Sequence, residues 1–335
     1  MLVKDGFGRN IDYLRISLTD RCNLRCIYCM PEEGVKLLAH KDILTLEEVS
    51  RAVECATRLG IKHIRFTGGE PTVRKGLVGL VERTAHTPGI ESVALTTNAT
   101  LLPSMAASLK EAGLSRVNIS LDTLDAQQYR LITRRGNLSD ALRGVEAALD
   151  AGLEPVKINA VAVRSLNQDL LSFARMTVHA PLHVRFIEYM PIGSGEGCGG
   201  CGWGIDDVVS AREIIETINA QAHEAGMAGL FPATGSEPVG WGPARYYRFP
   251  HAQGTVGVIS AVSNHFCASC NRLRLTADGK IKPCLFSDVE YDVRSALRKG
   301  TDKDVLSVFE AALAHKPGSH KHRIGTKRMM SQVGG

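Results

Sequence analysis

The sequence predicts an α/β chain organised on a parallel sheet. Three observations carry this expectation. Six β-rich stretches alternate with helical stretches over residues 12–190, three cysteines follow the first of those strands directly, and the alternation stops after Met190. Repeated strand–helix units imply parallel strands joined by right-handed crossovers. The 335 residues, 44% of them hydrophobic, can supply a full core, and the length is compatible with two domains. The expected division is residues 1–190, the alternating part, and 191–335, a connector followed by a C-terminal domain.

The elements run as follows. Tyr13–Thr19 alternates and is β-rich, so it reads as a strand. Leu46–Leu59 has helical spacing, and Thr45 with Glu48 forms a capping-box signature at its start. Lys62–Thr67 is the second strand and Arg74–His86 a helix. Ser92–Thr97 is a strand, and Ser104–Ala112 a helix stopped by Gly113. Val117–Leu121 is a strand, then Leu138–Ala151 a helix ending at Gly152. Pro155–Val163, the helix Gln168–Val178 and the strand His183–Tyr189 complete the run. Beyond it, Gly- and Pro-rich segments surround one helix, Ala211–Ala225, and Arg245–Ser260 reads as a hairpin pair.

A formal net charge of +5 is mild. With basic residues scattered rather than interleaved with aromatics, it argues against nucleic acid as a partner and suits an anionic small substrate. No apolar run reaches the ~18 residues that a membrane span needs, and the first residues lack the apolar core of a signal peptide. Nine clustered cysteines then read as metal chemistry in a reducing cytoplasm rather than as a disulfide framework.

The first cluster is Cys22-Asn-Leu-Arg-Cys26-Ile-Tyr-Cys29. Thiolates suit zinc, copper(I) and iron–sulfur centres. A closed zinc site wants a fourth ligand, and none lies nearby in sequence. A [4Fe-4S] cluster held by three thiolates leaves one iron open to a small molecule. The second cluster is Cys267-Ala-Ser-Cys270, with Cys284 after thirteen intervening residues. It is again three thiolates, either a second such cluster or a zinc site completed by His265. Arg272 and Arg274 alternate along the intervening strand and share a face.

Cys-x3-Cys-x2-Cys with Tyr28 before its last cysteine resembles the radical S-adenosylmethionine (SAM) superfamily. The resemblance implies a partial (β/α)6 TIM barrel whose C-terminal extension carries a second iron–sulfur cluster. It implies a [4Fe-4S] cluster on Cys22, Cys26 and Cys29, with SAM on its open iron. Gly68-Gly69-Glu70-Pro71 resembles the segment that hydrogen-bonds the SAM ammonium. Tyr28, Gly69, Ser120 and Met190 are the SAM contacts expected on this basis. In the barrel the site lies at the C-terminal ends of the strands.

The second cysteine group, the Asn271-Arg272-Leu-Arg274 run and the final Gly334-Gly335 together resemble the GTP 3′,8-cyclase family, over nearly the whole chain. This implies a second [4Fe-4S] cluster on Cys267, Cys270 and Cys284, and GTP as substrate. The implied GTP contacts are Arg15, Arg65, Thr96, Lys157, Arg272 and Arg274; Arg185 joins them by its strand position. Arg15, Arg65, Gly334 and Gly335 are the implied catalytic residues, the glycines as a tail entering the site. The implied product is (8S)-3′,8-cyclo-7,8-dihydroguanosine 5′-triphosphate, the first intermediate of molybdenum cofactor synthesis. A low-potential electron donor and a cyclic pyranopterin monophosphate synthase that takes the product are the implied partners; a homodimer stays open. Another radical SAM enzyme with an auxiliary cluster, such as a peptide-modifying maturase, is the alternative; an iron–sulfur electron carrier fits the large barrel less well. Two features depart from the family pattern: Ala99 stands where Gly usually follows Asn98, and Cys198 and Cys201 add a Cys-x2-Cys to the connector.

Overall fold

The structure is a computed structural model that describes residues 4–192, 203–235, 237, 238, 240, 242–320 and 326–334. Cys198 and Cys201 lie outside the described residues, as does Gly335. The strands are β1 (Tyr13–Ser17), β2 (His63–Thr67), β3 (Ser92–Thr97), β4 (Arg116–Ser120), β5 (Val156–Ala162), β6 (Leu182–Glu188), β7 (Phe231–Pro232), β8 (Arg245–Arg248), β9 (Thr255–Ile259), β10 (Arg272–Leu275), β11 (Lys280–Lys282) and β12 (Tyr291–Asp292). They form a single sheet of order β12-β11-β10-β1-β2-β3-β4-β5-β6-β9-β8-β7. All six expected strands are there and pair in parallel, in sequence order.

The C-terminal part does more than extend the chain. The expected hairpin exists as β8 and β9, but β9 also pairs in parallel with β6. Likewise β10 pairs in parallel with β1. Eight contiguous strands are therefore parallel, and antiparallel strands finish both edges. The sheet is open, yet it curls. Arg65 on β2 feels the charge of Arg185 on β6, four strands away, a separation of ~19 Å were the sheet flat.

The helices are α1 (Leu46–Arg58), α2 (Leu77–Ala85), α3 (Ala106–Glu111), α4 (Ala126–Thr133), α5 (Leu138–Asp150), α6 (Leu170–His179), α7 (Ala211–Glu224), α8 (Arg294–Lys299), α9 (Asp302–Ala314) and α10 (Met330–Val333). The capping box at Thr45 is formed on both sides. Two expected helices are shorter. Pro71–Val73 makes a separate 3-10 turn, and α2 starts only after Gly76, which is in the left-handed region. Leu102–Ser104 makes another such turn ahead of α3. Helix α4 was not expected; Asp125 caps it by accepting the Gln128 amide. Among the described residues, no helix is long and apolar enough to cross a membrane.

Strand alternation separates two environments. Leu14, Ile16, Ile64, Phe66, Val93, Leu95, Val117, Ile119, Val184, Phe186, Leu273 and Leu275 point one way and are buried in the core with the helices. Their neighbours point the other way, because side chains alternate along a strand. On that face lie Arg15, Ser17, Arg65, Thr67, Thr96, Arg116, Asn118, Ser120, Lys157, Asn159, His183, Arg185, Arg272 and Arg274. A closed TIM barrel fills its interior with branched apolar layers. This interior is polar and cationic, so it is suited to hold a ligand instead.

Candidate functional site

The first cysteine loop leaves the C-terminal end of β1. The Cys26 carbonyl accepts from the amides of Cys29 and Met30, which winds the last two cysteines into a tight turn. The turn is pinned to α4: the Arg25 amide donates to the Thr133 carbonyl and the Ile27 amide to the Ile132 carbonyl. Arg134 closes the clasp by donating to the carbonyls of Arg25 and Met30. The unexpected helix is thus what shapes the loop.

All three thiols are free and half-buried. Burial pushes Cys22 up to about 11 and Cys29 up to about 12, and it raises Cys26 well above its ordinary value. Each of Cys26 and Cys29 is also raised by charge on a neighbouring cysteine, so the thiols face one another. Among the described residues no three metal-binding side chains are close enough to chelate a single ion. Thiolates on separate irons of a cubane stand farther apart than four ligands on one zinc. The donor set, three soft sulfurs with no fourth cysteine beside them among the described residues, therefore fits an open cluster.

Gly68-Gly69-Glu70-Pro71 follows β2 and lies against this loop. The Gly69 amide donates to Thr19 and the Glu70 amide to Arg21. A Cβ on Gly69 would sit 2.3 Å from the Arg21 carbonyl oxygen. The glycine is needed because the cysteine loop's own backbone passes there, a closer reason than the ligand approach that the sequence suggested. Glu70 is fully buried. Its carboxylate accepts from the Thr72 amide and hydroxyl, the Thr97 hydroxyl and the Asn98 amide. It is a structural tie between the ends of β2 and β3, and burial still pushes it above the usual carboxylate range.

Cys26, Tyr28 and Ser120 line one small cavity with Asn98, Asp122, Tyr129 and Thr133. Tyr28 donates to Asp122 Oδ2 at 2.6 Å and stacks on Trp203. Burial pushes Asp122 up to about 6. Two of the expected SAM contacts, Tyr28 and Ser120, thus stand beside the cysteines, and Gly69 abuts their loop. Met190 follows β6 and is half-buried.

The cations form a band. Arg274, Arg15 and Arg65 are neighbours in register across β10, β1 and β2. Thr96, Asn118, Lys157 and His183 form the next row across β3 to β6. Burial and the neighbouring guanidinium groups hold Arg15 well below the usual arginine range, and Arg65 and Arg274 at about 10. Burial, then Arg185, Arg116 and Arg65, lowers Lys157 to about 6. Burial, then Lys157 and Arg185, takes His183 down to about 4. Arg185 is held by Asn118 and Asn159. Among the described residues, Arg65 Nε, Arg272 Nε, Thr96 Oγ1 and the Tyr13 hydroxyl are buried without a hydrogen-bond partner. Such atoms call for a partner from outside the chain, and a polyanion would satisfy the arginines.

The second cysteine group lies at the other end of the strands. Cys267 and Cys270 precede β10, and Cys284 follows β11, which runs antiparallel to it. Since β10 is parallel to β1, these cysteines sit near the start of β1, whereas Cys22, Cys26 and Cys29 follow its end. The two trios bracket about five residues of strand, on the order of 17 Å. Lys316 is buried between the segments of the second trio. It donates to the carbonyls of Arg272 and Pro283 and reaches the Cys270 sulfur at 3.5 Å. Burial pushes the Cys270 thiol up, but Lys316 and Arg272 outweigh it and hold the thiol below its ordinary value. His320 Nδ1 stands 3.0 Å from the Cys267 sulfur, with its ring against His265 and Phe286.

The tail enters the same interior. Arg274 Nη1 donates to the Gly334 carbonyl at 2.6 Å. Gly334 has φ +73°, and a Cβ there would sit 2.6 Å from Thr67 Cγ2. Ser331 lies against the Cys29 thiol and offsets part of its rise. Arg116, Asp122, His183, Lys316 and His320 went unnoticed in the sequence. Arg116 and His183 had a usable signal, since both sit on the polar face of a strand.

Comparison with known proteins decides the family. The chain is 51% identical to GTP 3′,8-cyclase of Pelotomaculum thermopropionicum, over 99% of this chain and 100% of that one. It is 47% identical to GTP 3′,8-cyclase of Desulforamulus reducens, over 99% of each chain. The chain belongs to the GTP 3′,8-cyclase family of radical SAM proteins. The family model for the radical SAM superfamily matches residues 16–176, and that for Molybdenum Cofactor Synthesis C matches residues 182–322. Among solved structures, the SAM-bound SuiB of Streptococcus suis superposes with a TM-score of 0.61 at 17% identity, covering 90% of this chain and 65% of that chain. That likeness supports the fold: an open radical SAM barrel, as expected. SAM and an iron–sulfur cluster belong to this family's chemistry.

Proposed function

We propose that the chain converts GTP to (8S)-3′,8-cyclo-7,8-dihydroguanosine 5′-triphosphate, opening molybdenum cofactor synthesis. The observation that carries this is the band of inward cations, Arg274-Arg15-Arg65 in register, lying between two cysteine trios. Cys22, Cys26 and Cys29 would hold one [4Fe-4S] cluster, and Cys267, Cys270 and Cys284 a second. When bound, the first cluster would supply the electron for reductive SAM cleavage; overall the C3′ hydrogen leaves in 5′-deoxyadenosine, the C3′–C8 bond forms, and one further electron and a proton, the electron coming from the low-potential donor, complete the 7,8-dihydro product.

The chain's residues do the positioning. Tyr28, Gly69, Ser120 and Met190 hold SAM beside the first trio. Arg15, Arg65, Lys157, Arg185, Arg272 and Arg274, with Thr96, hold GTP along the interior; arginine forks match phosphate oxygens. An extended nucleotide suits a cavity of this length, with C3′ near the first trio and guanine at the second. Placement matters because a radical must meet C3′ before it meets water or another hydrogen. Gly334, held by Arg274, closes the interior on the Arg15 side. The division at residue 190 is functional: the first part carries SAM, and the second carries the guanine end and the tail. A low-potential donor supplies electrons, a cyclic pyranopterin monophosphate synthase takes the product, and the work proceeds in the reducing cytoplasm, as a monomer or homodimer.

The test is anaerobic reconstitution with iron and sulfide, then SAM and GTP, read by mass spectrometry. About eight irons per chain, 5′-deoxyadenosine and a cyclised nucleotide are expected. SAM cleavage with unchanged GTP would contradict the reading.

A further inference from the structure

The tail has a poor claim to its place by packing alone. Helix α10 has four residues, and among the tail's apolar side chains only Val333 is fully buried. So short a helix does not hold itself together in water. Something upstream must set where Gly334 goes.

Arg328 makes four contacts with two carboxylates. Its Nε donates to Glu290 Oε1 at 2.6 Å and one Nη to Glu290 Oε2 at 2.7 Å. Its two Nη groups donate to the two oxygens of Asp278 at 3.0 and 2.9 Å. Both acids are themselves tied. Thr276 donates to Asp278, and the fully buried Lys282 donates to Glu290. Next door, Asp288 accepts from the Thr326 hydroxyl and the Lys327 amide. An exposed ion pair contributes little. This one is different: the guanidinium side chain is 21% exposed and its partners 15% and 20%, and the geometry is a fork against each acid. Asp278 lies in the turn between β10 and β11 and Glu290 just before β12, so the fork grips the chain on both sides of Cys284.

We propose that Arg328 is the positioning residue that seats Gly334, fixing the tail to the strands that flank Cys284. This rests on the reading that the tail takes part in cyclisation. With Arg328 clamped, five residues separate the anchor from Gly334, and Arg274 captures the far end. The tail then lies over the interior only when the segment around Cys284 is in place, which links closure of the site to assembly of its second cysteine group.

The experiment compares Arg328→Gln and Arg328→Lys with the parent, all full-length and reconstituted, beside a chain lacking Gly334 and Gly335. Iron content, hydrogen exchange of the 329–334 peptide, and kcat and KM for GTP are measured. In the Gln variant, exchange should rise and kcat fall by about tenfold or more, the scale of one lost charge-assisted hydrogen bond. KM and iron should stay near parental. The Lys variant, with the charge but not the fork, should fall between. Parental exchange and kcat in the Gln variant would overturn the proposal. Should that variant lose iron, the Lys variant and Asp278→Asn decide on the same two readings, and parental exchange in them overturns it equally. Full cyclisation by the chain lacking both glycines would instead sink the role of the tail and leave the Arg328 anchor to be judged by exchange.

Discussion

The cysteines after β1 and the cysteines beside β10 are both trios, yet their electrical surroundings differ. Cys22, Cys26 and Cys29 are raised by burial, by one another and by nearby acids, Glu70 and Asp122. Around Cys267, Cys270 and Cys284 the chain places the buried Lys316 and Arg272, and Cys270 is lowered. The first trio is half-buried and the charges acting on Cys26 and Cys29 are negative, so ligation must release protons and the metal itself must supply the charge. In the second trio, Cys270 is compensated by Lys316 and Arg272 before any metal arrives. A centre that delivers a strongly reducing electron suits the first setting. A centre that holds a ligand beside a polyanion suits the second.

The largest effect should come from breaking one trio at a time. Cys26→Ala should abolish both 5′-deoxyadenosine and cyclised product and leave about four irons per chain. Cys284→Ser should also leave about four irons and abolish the cyclised product, yet keep SAM cleavage. Metal analysis and product chromatography read both. Equal loss of SAM cleavage in the two variants would erase the distinction between the trios.

Next comes the cation itself. Lys316→Met removes one positive charge beside Cys270. The second cluster's potential should fall by roughly 100 mV, the scale of one charge at partly screened contact distance, while the first cluster's stays put. A redox titration followed by electron paramagnetic resonance checks this, and equal shifts at both would contradict it. Between the trios, Lys157 is lowered to about 6 by burial, then Arg185, Arg116 and Arg65. At pH 7.5 it is mostly neutral in the empty cavity. A triphosphate beside it favours the charged form, so GTP binding should take up a proton there. Calorimetry in two buffers of different ionisation enthalpy measures the uptake; none would place the triphosphate elsewhere.

The smallest effect is expected at the departure from the family pattern. Ala99 has φ +64° and is fully buried. Ala99→Gly relieves about 1–2 kcal/mol of left-handed strain. It also loses a buried methyl of about 0.8 kcal/mol and adds chain entropy to the unfolded state, costing about 0.5–1 kcal/mol. The two sides nearly cancel, so denaturant melts should agree within about 0.5 kcal/mol.

Local patterns carried much of this architecture. The six strands, the capping box at Thr45 and both cysteine spacings are visible because each depends on residues adjacent in sequence. The polar face was legible too: Arg15, Arg65, Lys157 and Arg185 each alternate with apolar neighbours. Arg116 was missed because the strand was expected to begin one residue later, at Val117. Helix α4 was missed because it is short and its buried face is only Tyr129, Ile132 and the polar Thr133. What stayed hidden was non-local. The pairing of β10 with β1 and of β9 with β6 joins distant segments, and Lys316 reaches Pro283 across 33 residues. Arg328 reaches Asp278 across 50. No periodicity announces such contacts.

The central claim is that two clusters occupy opposite ends of one cationic cavity. Pulsed electron paramagnetic resonance on the reduced, reconstituted chain measures the distance between them. Strand geometry predicts a separation on the order of 15–20 Å. A single cluster signal, or a separation far outside that range, would contradict the account.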